Sequence, residues 1–227
     1  MIKSLTPTAS RVPLSLKLAY TAYVVVLIPV YWHYYGPTNF LYFCDLALII
    51  TLIGIWPENA LLISKCCIGI LVPQLVWLAD FGSNLAGVPL TGMTDYMFDT
   101  HHSLFLRGLS LFHGWLPILL VYLVWRTGYD RRALPSWTVL AWVVLPVCFF
   151  LMPAPTAHPG LTPVNINYVW GTSDFAKQTL VPAYLWFAGL LIGLPLLVYV
   201  PTHLVLARVA PSAQKSGTHE PKLAEAA

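Results

Sequence analysis

Residues 101–125 read HHSLFLRGLSLFHGWLPILLVYLVW and are followed at once by RTGYDRR at 126–132. The first segment holds one permanent charge, Arg107, in 25 residues. A helix needs about 20 apolar residues to cross about 30 Å of hydrocarbon, so the segment is long enough to span a bilayer. The second segment adds Arg126, Arg131 and Arg132 within seven residues, the kind of basic link that stays on the cytoplasmic side. A span closed by a basic link is the unit from which the rest of the chain is read.

Five further apolar runs fall at 14–34, 39–56, 60–80, 134–153 and 181–209. The expected fold is therefore all-α, a polytopic transmembrane helical bundle with six predicted spans. Lys3, Arg11 and Lys17 precede or open the first span, Lys65 lies near the start of the third, and Arg208, Lys215 and Lys222 close or follow the sixth. The alternate links carry Asp80, Asp95, Asp99 and Asp174 against a single Lys177. By the positive-inside rule both termini are cytoplasmic. Residues 1–13 form a cytoplasmic lead-in, 14–209 a single transmembrane domain, and 210–227 a tail too poor in bulky apolar side chains to fold. The first run lacks a small-residue cleavage pattern and is expected to remain as a helix.

Composition gives the same class. The chain is 58% hydrophobic and 9% charged, where an ordinary soluble domain is about 25% charged, and its mean hydropathy is +0.70. A net charge of +3 spread over cytoplasmic links is topology information, not a nucleic-acid surface. Membrane lipids are the expected partners, and no motif calls for a cofactor. Cys44, Cys66, Cys67 and Cys148 all fall inside predicted spans without a CxxC spacing, so they read as small hydrophobes and not as a disulfide framework. The links 81–100 and 154–180 are longer than helix connections usually are, and such loops lie along the interface or cover a site.

Ionisable groups inside apolar spans are costly and therefore informative. Asp45 in the second span and Arg107 in the fourth sit at similar estimated depths, about 9 Å from the outer face at a rise of about 1.5 Å per residue, and are candidates for an ion pair. The same Arg107 has the chemistry to hold a lipid phosphate or carboxylate. Arg107, Ser110 and His113 recur at helical spacing and share a broad face. Cys44 adjoins Asp45, and a thiol facing a histidine and a cation has the ingredients of a nucleophile. A packed cysteine and a hydrogen-bonded core histidine account for the same residues without chemistry. A second polar group lies at the outer boundary, where His33, His101, His102 and His158 with Asp99 form a candidate zinc set that matches no fixed ligand motif.

NFLYFCDLALIITL at 39–52, RGLSLFHGWLPILLVYLVWRTGYDRRALPSW at 107–137, NINYVWG at 165–171 and VPAYLWF at 181–187 together resemble the YwaF-like integral membrane proteins. The resemblance covers residues 39–195 and reaches, more distantly, a eukaryotic transmembrane phospholipid acyltransferase using Cys and His, and the androgen-induced membrane hydrolases. It implies a nucleophile at Cys44 and a base at His113. The corresponding function is a lipid acyltransferase or hydrolase in which Arg107 holds an anionic head group and Asn165 and Asn167 donate hydrogen bonds from the outer loop. The alternatives are a non-catalytic membrane scaffold or partner-binding subunit, in which Asp45 and Arg107 lock the bundle, and a metal-dependent lipid hydrolase using the four histidines.

Overall fold

The computed structural model describes residues 11–88, 90–155, 163–173 and 176–213. Its helices are α1 (Leu14–Tyr35), α2 (Phe43–Ile55), α3 (Ala60–Leu85), α4 (Leu104–Leu109), α5 (Phe112–Thr127), α6 (Ala133–Leu151), α7 (Ala183–Gly193) and α8 (Val200–Val209). Short 3-10 turns at Pro37–Leu41, Asp95–Met97 and Ile166–Tyr168 sit in the links, and a π-helical stretch, Leu194–Tyr199, joins α7 to α8. The expected candidate site at His158 and most of the lead-in and tail lie outside the described residues.

Five helical segments are long and apolar enough to cross a membrane: Leu14–Tyr35, Ala60–Leu85, Leu104–Thr127, Ala133–Leu151 and Ala183–Val209. This is the architecture of a multi-pass integral membrane protein. The run at 39–56 differs from expectation, because only the 13 residues of α2 are α-helical. At about 1.5 Å per residue, α2 alone reaches about 20 Å, short of a bilayer's hydrocarbon core. The reason is local. Pro37 opens a 3-10 turn, and Tyr42, with extended backbone at φ −61° and ψ 137°, separates that turn from the helix. Hydropathy counts those residues as span although their backbone turns.

Side-chain and backbone bonds gather the links into two sets. At one end, the Lys17 ammonium lies 2.8 Å from Glu58 and donates to the Trp56 carbonyl, while Arg11 donates to the Thr127 carbonyl. Tyr129 N–H donates to the Pro211 carbonyl and its hydroxyl pairs with His203. The start of α1, the α2–α3 and α5–α6 links and the end of α8 therefore meet. At the other end, Asn167 bonds to the backbone at Leu41 and Phe43, and Trp186 donates to the Tyr168 carbonyl. His102 and Tyr35 stack at 6.3 Å, which brings the 86–103 link to the same end.

α3 is the hub of the bundle. Half of its apolar window is buried inside the protein, against 17% for α7–α8, which lies at the periphery. Close approach of α3 to α6 depends on Gly69, since a Cβ there would lie 1.8 Å from Trp137 Cε2. A second cluster fixes the 163–170 segment, where Phe149 stacks on Trp170 at 4.2 Å and on Phe187 at 4.4 Å. Helices that are apolar on every side suit this arrangement, with one face on the core and the others on lipid.

Candidate functional site

The candidate residues lie at the end of the bundle that carries the three longer links. Asp45, in the first turn of α2, is 3% exposed and accepts one hydrogen bond, from Asn39 Nδ2 at 2.9 Å. Its Oδ1 has no partner. Arg107 donates from Nη1 to the Met97 carbonyl at 3.0 Å, and its Nε is buried without an acceptor. The expected Asp45–Arg107 ion pair does not form, and among the described residues neither group makes a salt bridge. Each found a partner nearer in the chain, in irregular backbone that a helical depth estimate cannot represent.

The shared helix face of Arg107, Ser110 and His113 is also interrupted. α4 ends at Leu109 and α5 begins at Phe112, and the chain between them tightens into 3-10-type bonds from His113 N–H to the Ser110 carbonyl and from Gly114 N–H to the Leu111 carbonyl. Ser110 serves this junction twice: its hydroxyl pairs with Tyr31 at 2.7 Å, and its carbonyl accepts from His113 Nδ1 at 2.8 Å. Because a carbonyl can only accept, the proton of a neutral His113 sits on Nδ1, leaving Nε2 as its basic nitrogen. The imidazole stacks on Trp77 at 4.9 Å and against Phe112 at 4.1 Å. Nearby, the Tyr23 hydroxyl donates to the Leu109 carbonyl.

Cys44 is half-buried among apolar side chains, while Cys66, Cys67 and Cys148 are fully buried, and all four are free thiols. No hydrogen bond joins the Cys44 sulfur to His113, whose ring nitrogens bond, among the described residues, to Ser110 alone. Asn165 and Asn167 both occupy left-handed backbone, at φ 50° and 57°, a region asparagine tolerates. Asn165 donates to the Gly171 and Ser173 carbonyls and accepts from Trp170 N–H. Asn167 accepts from Phe43 N–H at 3.0 Å, donates to the Leu41 carbonyl at 2.9 Å, and lies 3.5 Å from Cys148 Sγ. Asn167 thus holds the loop against the start of α2, and Asn165 closes the loop on itself.

Of the expected histidine set, His33, His101 and His102 are described and His158 is not. Among the described residues, no three His, Cys, Asp or Glu side chains come together as a metal site. Asp99 accepts from both the backbone N–H and Nδ1 of His101 and lies 3.3 Å from His102 Nδ1. Those bonds, the backbone one foremost, hold its carboxyl below the usual carboxylate range. His33 packs its ring against Tyr34.

Asp80 is a determinant that the sequence reading missed. It is fully buried at the end of α3 and accepts from Leu90, Thr91 and Thr94 N–H and from the Thr94 hydroxyl. That one carboxylate shapes the loop leading to Met97 and so places the carbonyl that holds Arg107. An acid at a span's end followed by two threonines eleven and fourteen residues later was its available signal. No family model, curated protein or solved structure matches the chain.

Proposed function

We propose that the chain is a six-crossing membrane protein that acts by binding, not by covalent thiol catalysis, with its loop-covered end as the working face. The observation that carries the reading is that, among the described residues, no hydrogen bond joins Cys44 to the basic Nε2 of His113, while Asn165 and Asn167 are committed to backbone groups. A thiol becomes a useful nucleophile when a base lies within hydrogen-bond reach, and Cys44 has no such bond. Six crossings follow if α2 is counted together with its 3-10 lead-in. Five residues at about 2.0 Å and thirteen at about 1.5 Å cover about 30 Å, and the chain from Gly36 to Trp56 returns to Lys17, where α1 began. The links bearing Arg11, Arg126, Arg131 and Arg132 then share the cytoplasmic side.

The test is to incubate the purified protein in vesicles with acyl-labelled phospholipid and to search for turnover and for an acyl thioester. No turnover and no adduct are expected. A thioester on Cys44 that vanishes in Cys44→Ala would overturn the reading in favour of the lipid acyltransferase or hydrolase implied by the family resemblance. One observation favours that second reading: Cys44 alone among the four cysteines is not fully buried.

A further inference from the structure

Beside the polar junction, a groove of about 330 Å³ runs between the end of α3, the 97–98 segment and α4. Its walls are Phe81, Leu85, Met97, Phe98, Leu104 and Leu111, with Gly108 in its lining and Arg107 as its one charged residue. The volume lies at the lower end of the range for ligand sites, enough for part of an extended chain. Leu85, Leu104 and Leu111 are all exposed on the protein surface, so the groove opens toward lipid and not into the core.

The charge at this groove is uncompensated. Among the described residues, Arg107 makes one hydrogen bond, to the Met97 carbonyl, and no ion pair. The nearest acids in sequence are engaged elsewhere, Asp95 with Asn84 and Asp99 with His101. A guanidinium presents five N–H donors in a planar fork that matches phosphate oxygens, and among the described residues only Nη1 of Arg107 has an acceptor. Arg107 also stands three residues inside α4, about 5 Å along the helix from its start. An apolar slot open to lipid, with a cation seeking an acceptor at its wall, is complementary to an amphiphile that carries a negative head.

We propose that this groove seats one acyl chain of an anionic phospholipid, with the phosphate held by Arg107. Gly108 supplies a probe of the slot: it lies in the lining and a Cβ there meets nothing within 4 Å, so Gly108→Leu adds bulk to the lining without a clash at its Cβ. The site goes beyond the non-catalytic reading and does not depend on it, since a thioester on Cys44 would overturn that reading and leave lipid retention unchanged.

The experiment uses the full chain in detergent, supplied with equimolar phosphatidylglycerol and phosphatidylcholine, with retained lipid counted by native mass spectrometry. The expected result is one retained phosphatidylglycerol in preference to phosphatidylcholine, at least tenfold weaker in both Arg107→Gln and Gly108→Leu. Equal retention of the two lipids, or undiminished preference in Gly108→Leu, overturns the proposal. So does loss of the bound lipid on adding millimolar inorganic phosphate, because the site would then recognise a free anion and not a lipid. Gly108→Leu keeps the proposal testable if Arg107→Gln fails to fold.

Discussion

Gly69 shows how much a single atom decides in this bundle. With a Cβ placed 1.8 Å from the Trp137 ring, Gly69→Ala forces α3 and α6 apart. Overpacking of this kind costs about 1–3 kcal/mol, and here the neighbour is a rigid indole, so the upper part of that range is expected. Thermal unfolding in detergent checks it, with Gly69→Ala/Trp137→Leu recovering most of the loss. At the surface, Asp130 pairs with Arg132 at 2.7 Å, and that hydrogen bond, foremost among the causes, holds its carboxyl below the usual range. A depressed native pKa stabilises above the unfolded value near 3.9 and is lost as pH falls through the lower native value. Asp130→Asn should therefore lower Tm slightly at pH 7 and leave it unchanged at pH 2. A deficit that persists in acid would assign the effect to something other than charge. The sequence marked Asp45 and Arg107 as out of place among apolar neighbours, which the structure agrees with. It could not reveal their partners, because Asn39 and the Met97 carbonyl become neighbours only through non-helical backbone.

The long apolar runs were legible because each crossing must satisfy its backbone internally, and a helix does so with sequence-local bonds. The α2 segment was legible only in part. Its run of apolar side chains is long enough, but Pro37 and the extended Tyr42 convert its first third into a turn. Whether the turn and helix cross together is open to direct measurement. In a protein whose native cysteines are replaced, Pro37→Cys and Pro57→Cys should react with an impermeant thiol reagent from opposite sides of sealed vesicles. Labelling of both from one side removes the sixth crossing. Asp80 matters at the same scale. Asp80→Ala strips four acceptor contacts from the 90–94 loop, and hydrogen bonds to charged groups contribute about 1.5–3 kcal/mol each. The expected outcome is rapid amide exchange at Leu90, Thr91 and Thr94 with α3 still protected.

Across the whole molecule, the basic links collect at one end, where Glu58 accepts from Arg11 N–H, Val12 N–H and the Lys17 ammonium. Lys17 is 7% exposed, so Glu58→Ala leaves a buried cation without its counter-charge. Breaking one side of such a pair costs about 3–5 kcal/mol. The surface pair Asp130–Arg132, by contrast, belongs to a class worth about 0–1 kcal/mol, and unfolding of the two single variants side by side should reproduce that difference. Charge alternation along the sequence marked the basic links, whereas the clasps that join them run between residues 39 to 116 positions apart and leave no periodic trace. A long-range bond at the opposite end of the bundle bears on the order of assembly. Phe43 N–H, the first donor of α2, is received by Asn167, 124 positions later. A growing chain therefore makes α2 with that donor still unanswered, and the answer arrives only after four further helices, α3 to α6, have been made. Biogenesis of this protein thus has a late step at α2, and a nascent chain arrested before Asn167 should leave that helix open to protease while α1 and α3 are already protected.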